Sequence, residues 1–206
     1  MKRGNWRPVY EGDLSGLPTH AHGHRMVTWW GMMGLVVIEG MAFALAAGAY
    51  LYLASRSPDW PPDVPPSLLW GTVFTAVALL SYLPNRWLHT MAEQEKLLPV
   101  RVGLVVMSIV GVALVGIRVF EFPALNVGHD DSAYGSITVT LLGLHTLHLV
   151  TDLADTIVLA VLMFTRHARG RRFADTAENA IYWDFVIFAW LPIYALLYWF
   201  PRWTGP

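Results

Sequence analysis

Five long apolar segments dominate this chain, and they constrain its fold more than any other feature. They cover about residues 26–54, 66–88, 100–122, 134–165 and 179–200. Each is long enough for a helix that crosses a hydrocarbon core, which takes about 20 residues. Since backbone polar groups in lipid must be hydrogen-bonded internally, and alternating strand patterns are absent, a helical bundle is favoured. The sequence therefore predicts an all-α integral membrane protein, a bundle of five transmembrane helices.

The amino-acid composition supports a membrane protein and excludes several other kinds of protein and site. Charged residues make up 14% of the 206 and hydrophobic residues 55%, compared with about 25% and 45–50% in soluble proteins. A net charge of −1 without a basic patch argues against a nucleic-acid partner. Because the chain has no cysteine, disulfides, thiolate catalysis, cysteine-bound zinc and iron–sulfur clusters are excluded.

The distribution of basic residues predicts how the chain is oriented. We divide the chain into a polar cytoplasmic N-terminal segment, residues 1–25, and a five-helix transmembrane domain, residues 26–206. The side that holds the N-terminus and the second and fourth connections carries eleven of the 14 Lys and Arg residues, and the other side carries three: Arg56, Arg118 and Arg202. Basic residues are enriched on the cytoplasmic side of membranes. The sequence therefore predicts a cytoplasmic N-terminus and a C-terminus outside.

The fourth apolar segment carries ionisable side chains on one face: His145, His148, Asp152 and Asp155. At 100° per residue these lie at about 0°, −60°, −20° and −80°, within a third of the helix circumference. Ionisable groups at such depth are costly and usually face a bundle interior. We expect a buried, lipid-side polar cluster in which this face meets Glu39 of the first span and Asp184 of the fifth. Interhelical hydrogen bonding and a proton relay or substrate-coordinating role both stay open for it.

No metal or haem site is predicted. Two histidines three residues apart can bind a metal in di-iron bundles, but those sites need glutamates from partner helices. Only Glu39 lies at a matching depth. A bis-histidine haem needs ligands from two helices at one level, and both His89 and His167 lie near span ends.

Two further groups of charged or titratable residues stand out near the membrane surfaces. Arg118 and Glu121, three apart at the outer end of span three, predict a local ion pair at the interface. The N-terminal segment holds three alternating histidines, which either collect protons near physiological pH or belong to a solvated tail: His20, His22 and His24.

The order of these features resembles subunit III of the haem–copper cytochrome c oxidases. The resemblance covers residues ~25–203 and rests on motifs in chain order: Glu39-Gly-Met-Ala-Phe43 with Ala46-Ala-Gly48-Ala-Tyr50, the proline-rich loop at 58–66, Glu121, Ser132-x-Tyr134-Gly-Ser136, Gly143-x-His145-x-x-His148, and Tyr182-Trp183-x-Phe185-Val186 with Trp190. Longer family members carry two extra N-terminal helices, and this chain resembles the short five-helix bacterial form.

This resemblance implies a non-catalytic subunit of a respiratory oxidase in a bacterial cytoplasmic (inner) membrane. Haem and copper would then be held by partner subunits, and this chain would pack beside the catalytic subunit I and subunit II. The family also implies phospholipid binding, support of proton uptake and protection during turnover.

Some positions depart from the family pattern, and other classes of protein stay open. The family has glycine where this chain has Thr146 and Asp152, histidine where it has Asp184, and aspartate where it has Ile187. An accessory subunit of nitric oxide reductases is therefore an alternative. A small proton- or ion-coupled transporter would also bury carboxylates, although such proteins usually show internal repeats. A haem-binding membrane anchor of a dehydrogenase would need histidines paired across helices.

Overall fold

A computed structural model of the chain describes residues 26–57, 59–62, 64–165 and 170–204. Its long helices are α1 (Val27–Arg56), α2 (Leu68–Glu93), α3 (Leu97–Glu121), α4 (Ala133–Phe164) and α5 (Gly170–Tyr194). Five helical spans are long and apolar enough to cross a membrane. Within the described ranges the chain is helical with no strand. The predicted all-α bundle of five spans is confirmed.

The last span changes its helical geometry near its end. Pro192 lies inside α5, and a π-helical turn, Ala195–Trp199, follows before the short α6 (Phe200–Thr204). Proline lacks the N–H that closes the i→i−4 hydrogen bond, so the ladder is interrupted there. The helix continues through the interruption, so that Gly170–Trp203 forms one span.

The predicted start of the fifth span was wrong by nine residues, because α5 begins at Gly170 rather than near 179. Charged residues in these nine positions, about two and a half helical turns, lower the local hydropathy and so conceal the start of the helix. Phe173 and Ala177 are nevertheless buried. Arg172 Nη1 donates a hydrogen bond to Asp175 Oδ2 at 2.9 Å, an i,i+3 ion pair that supports the helix. The extra residues lengthen the span by about 14 Å at 1.5 Å per residue.

Local contacts hold the connection between α1 and α2 and the start of α4. The proline-rich stretch between α1 and α2 is non-helical in its described part. Its Trp60 is buried against the rings of Tyr50 and Tyr134, with centroids 5.1 and 4.9 Å away. The Oγ atom of Ser132 accepts a hydrogen bond from the Gly135 N–H at 3.0 Å and so caps α4.

Helix α5 packs against α1, α2 and α4, whereas α1 lies at the periphery and packs mainly against α4 and α5. The α2–α5 contact is antiparallel, since side-chain hydrogen bonds run along it in opposite sequence directions: Thr72 with Tyr194, Thr75 with Trp190, Ser81 with Trp183, and Asn85 with the Ala180 carbonyl. Polar contacts of this kind average about 0.6 kcal/mol in membranes and fix helix register more than they add stability.

Candidate functional site

The structure distributes the six predicted cluster residues over three places. His145 lies in the bundle core, next to the residues that were predicted as a separate pair. Three others line a cleft between α1, α4 and α5, namely Glu39, Asp152 and Asp155, and His148 lies beside Glu39. Asp184 faces α2.

The core group, which we call the arginine cluster, consists of Arg118, Glu121, His145 and Tyr198. Arg118 Nη1 donates to Glu121 Oε2 at 2.6 Å, and its Nη2 donates to His145 Nδ1 at 2.7 Å. The Tyr198 hydroxyl donates to the second oxygen, Glu121 Oε1, at 2.5 Å. Both terminal nitrogens of Arg118 and both oxygens of Glu121 are therefore hydrogen-bonded, which offsets part of the cost of burying the pair, whereas Arg118 Nε has no partner among the described residues.

This ion pair, which the sequence predicts as a local pair at the outer end of span three, is enclosed by protein. Arg118 is 1% exposed and Glu121 is 0% exposed. The guanidinium lies between the rings of Phe74 and Trp190, at 3.6 and 4.0 Å from their centroids. Two aromatic faces attract the cation and replace part of its hydration. The pair is buried because residues distant in sequence, including His145, enclose it.

The hydrogen bonds of His145 assign its tautomer. Nδ1 accepts from Arg118, so the proton is on Nε2, which donates to the Val186 carbonyl at 3.0 Å. Both ring nitrogens are therefore engaged within the protein. In this arrangement the imidazole positions α3, α4 and α5 against one another and has no nitrogen free for a ligand.

The second group lines what we call the acidic cleft, a cavity of about 570 Å³ between α1, α4 and α5. In its lining, the Tyr182 hydroxyl donates to Glu39 Oε2 at 2.6 Å. The other carboxylate oxygen, Glu39 Oε1, lies 3.6 Å from His148 Nε2. His148 donates from Nδ1 to the Leu144 carbonyl at 2.6 Å, so that Nε2 is the atom turned toward Glu39.

Asp152 is held by an amide from α5. Asn179 Nδ2 donates to Asp152 Oδ1 at 2.7 Å, and Thr156 donates to the amide oxygen of Asn179 at 3.1 Å. The carboxylate contact assigns the amide orientation, because a carboxylate only accepts, so the Asn179 nitrogen faces Asp152 and its oxygen accepts from Thr156. Asp155, one turn further along α4, is exposed and also lines the cleft.

Asp184 does not join the face of α4, contrary to our expectation. Its Oδ1 accepts from Asn85 Nδ2 at 2.8 Å, and its Oδ2 lies 4.0 Å from Arg86 Nη1. The reason is rotational, since Asp184 is two residues from Tyr182 and points toward α2 when Tyr182 points toward α1.

Sequence reasoning missed the neutral polar partners in all three places: Asn85, Thr156, Asn179, Tyr182 and Tyr198. Our reading followed ionisable residues, and these side chains carry no charge. A usable signal existed, since two asparagines in otherwise apolar spans are expensive to bury without partners. Asn179 had instead been taken as the start of the last span.

Over the described ranges, no group of three or more histidine, aspartate and glutamate side chains is arranged to hold a metal ion. The histidines at 20, 22 and 24 lie outside the described residues.

Fold and sites together define a polytopic α-helical membrane protein with an ionic network inside its bundle. The chain belongs to the cytochrome c oxidase subunit III family, since the family model of that description matches residues 9–202. This confirms the resemblance seen in the motifs. Subunit III of cytochrome c oxidase generally carries no redox centre of its own.

Individual relatives are distant but cover most of the chain. Cytochrome c oxidase subunit 3 of Thermostichus vulcanus is 24% identical, over 87% of this chain and 90% of the relative. The protein of that name from Pylaiella littoralis is 28% identical, over 94% of this chain and 74% of the relative. The one from Synechocystis is 24% identical, over 86% and 77% respectively.

Proposed function

We propose that this chain is the non-catalytic subunit III of a respiratory haem–copper oxidase in a bacterial cytoplasmic membrane. It packs beside catalytic subunit I and subunit II, which hold haem and copper, and its N-terminus lies in the cytoplasm. The family match over residues 9–202 carries this proposal. The buried histidine of the bundle supports it, because both ring nitrogens of His145 are engaged by protein groups.

Within that complex we assign the chain two supporting roles. Phospholipid covers its apolar outer faces, and α1, the least buried of the five spans, carries exposed apolar side chains such as Ile38 at 68% and Leu45 at 73% exposure. The acidic cleft supports proton uptake on the cytoplasmic side, because its lining includes Asp175 and Glu178 in the first turns of α5, the helix end that we place there. In both roles the chain sustains turnover of the oxidase and performs no chemical step itself.

The test compares the purified oxidase with and without this subunit. We expect the depleted complex to keep its haem spectrum and its initial turnover near neutral pH. It should lose turnover more steeply as the pH rises, because proton supply becomes limiting, and it should inactivate within fewer turnovers. A depleted complex that loses its haem, or one whose pH profile and lifetime are unchanged, contradicts the proposal.

A further inference from the structure

Arg86 is a charged residue on the outer surface of the bundle, away from the acidic cleft. It lies in α2 seven residues before Glu93, the end of the helix, and therefore about 10 Å inside that end. Since the 26 residues of α2 extend over about 39 Å and a hydrocarbon core is about 30 Å thick, this position falls within the core when the helix is centred. The Arg86 side chain is nevertheless 50% exposed.

The guanidinium group of Arg86 has few partners within the chain. Among the described residues, the one group of opposite charge within ion-pair distance is Asp184, whose Oδ2 lies 4.0 Å from Arg86 Nη1, beyond hydrogen-bond length. The other oxygen of Asp184 accepts from Asn85 at 2.8 Å, which holds the carboxylate in place. In the described part of the chain, the five N–H donors of Arg86 therefore have no hydrogen-bond acceptor.

The side chain of Arg86 also points toward the middle of the membrane. Trp183 bonds Ser81 across the antiparallel α2–α5 contact, so Asp184 lies near the level of Ser81. That level is five residues, or about 7–8 Å, deeper than Arg86. A helical side chain leans toward the N-terminus of its helix, which for Arg86 is the same direction. The arginine therefore does not reach back to the nearer membrane surface, as a lipid-facing arginine would.

The residues around Arg86 form a surface that suits a protein helix. On α2, Leu79, Tyr82, Leu83 and Arg86 follow the i, i+3, i+4, i+7 spacing of one helix face, and Leu83 is 68% exposed. On α5, Phe188 is 51% exposed, and its ring centroid lies 5.8 Å from that of Tyr82. We call these five residues the Arg86 face. Its composition fits a docking surface, because arginine and aromatic side chains are enriched where proteins dock.

We propose that the Arg86 face docks a transmembrane helix of a neighbouring subunit, and that this helix presents a neutral acceptor oxygen to Arg86. A charged side chain that faces acyl chains at this depth is costly, because lipid tails offer no acceptor. Cover by a protein helix removes that cost. The acceptor is neutral because Asp184 already balances the charge, and an amide or hydroxyl oxygen completes the hydrogen bonds of the guanidinium. The inference rests on the proposed function only for the identity of the neighbour, an oxidase subunit.

Photo-cross-linking identifies what covers this face. The photoreactive amino acid p-benzoylphenylalanine is placed at Leu83 and, in a second variant, at Ile109 of α3, which is 65% exposed and whose exposed neighbours on that helix are all apolar. The intact complex is irradiated, and the adducts of this chain are identified by mass. We expect the Leu83 variant to form adducts with one protein subunit at a several-fold higher yield than the Ile109 variant. Adducts with lipid or detergent alone at Leu83, or protein adducts at no higher yield than from Ile109, overturn the inference.

Substitution of Arg86 separates docking from folding. Arg86→Met should leave the unfolding of the purified chain nearly unchanged, because the arginine has no hydrogen bond within it. It should raise the apparent dissociation constant of the complex about tenfold, the typical effect of losing one hydrogen bond to a charged group. Arg56→Met removes an exposed arginine at the end of α1 and is the control, which should bind like the parent chain.

Equal dissociation constants for the two variants contradict the inference. That result in an intact oxidase complex leaves the proposed function standing. A Leu83 adduct with a membrane protein other than an oxidase subunit has the opposite meaning, because it supports the docking face and contradicts the proposed function.

Discussion

Replacing Arg118 by methionine should destabilise the protein far more than an ordinary loss of charge. The substitution leaves Glu121 buried, at 0% exposure, with only the Tyr198 hydroxyl bound to it. Removing one partner of a buried ion pair costs about 3–5 kcal/mol, because the other charge is left uncompensated. Loss of the contacts with the rings of Phe74 and Trp190 adds about 0.5–2 kcal/mol.

A second substitution separates the buried charge from the lost packing. The double variant Arg118→Met/Glu121→Gln removes both charges of the arginine cluster, and its glutamine oxygen can still accept from Tyr198. Neutral replacements of buried ion pairs are often close to neutral in stability. We therefore expect the double variant to be more stable than Arg118→Met alone.

The assay is unfolding of the purified chain in mixed micelles of a mild detergent and sodium dodecyl sulfate, followed by the fluorescence of its ten tryptophans. Arg86→Met is the matched control, because its side chain is 50% exposed and 4.0 Å from Asp184. Exposed pairs contribute about 0–1 kcal/mol. This explanation is refuted if Arg118→Met lowers the free energy of unfolding no more than Arg86→Met does. It is also refuted if the losses caused by Arg118→Met and Glu121→Gln are additive in the double variant.

Two further substitutions test the packing. Gly71→Ala would place its Cβ 2.6 Å from the rigid ring of Tyr198, so that the hydroxyl must leave Glu121, whereas the control Gly116→Ala meets nothing within 4 Å. We expect the same unfolding assay to show a loss only for Gly71→Ala, and equal losses would contradict this packing. Ser81→Ala removes the acceptor of the Trp183 indole N–H. This substitution should lower the free energy of unfolding by about 0.6 kcal/mol. A loss near that of Arg118→Met would show that the α2–α5 contact depends on this one hydrogen bond.

The sequence was sufficient for the spans and for the polar face of α4, because both follow from local periodicity. Hydropathy placed every span, and helical spacing placed His145, His148 and Asp152 on a buried face. The start of α5 was missed since charged residues at 171–178 break the apolar pattern while the helix continues.

The division of that face into two separate sites could not be predicted from the sequence. His145 and His148 differ by about 60° around the helix, which is enough for one to reach α3 and the other α1. The inward direction of Arg118 depends on Phe74 and Trp190, which lie on α2 and α5. Such contacts depend on how each helix is rotated about its own axis, and this rotation cannot be inferred from a single sequence.

The most direct measurement is the composition of the complex that purifies with this chain in a mild detergent. We predict that haem- and copper-bearing subunits co-elute with it in a fixed ratio, and that stripping the chain away leaves the haem absorbance with those partners. A chain that elutes without oxidase subunits, binds haem alone, or transports ions when reconstituted by itself would contradict its assignment as subunit III of a respiratory oxidase.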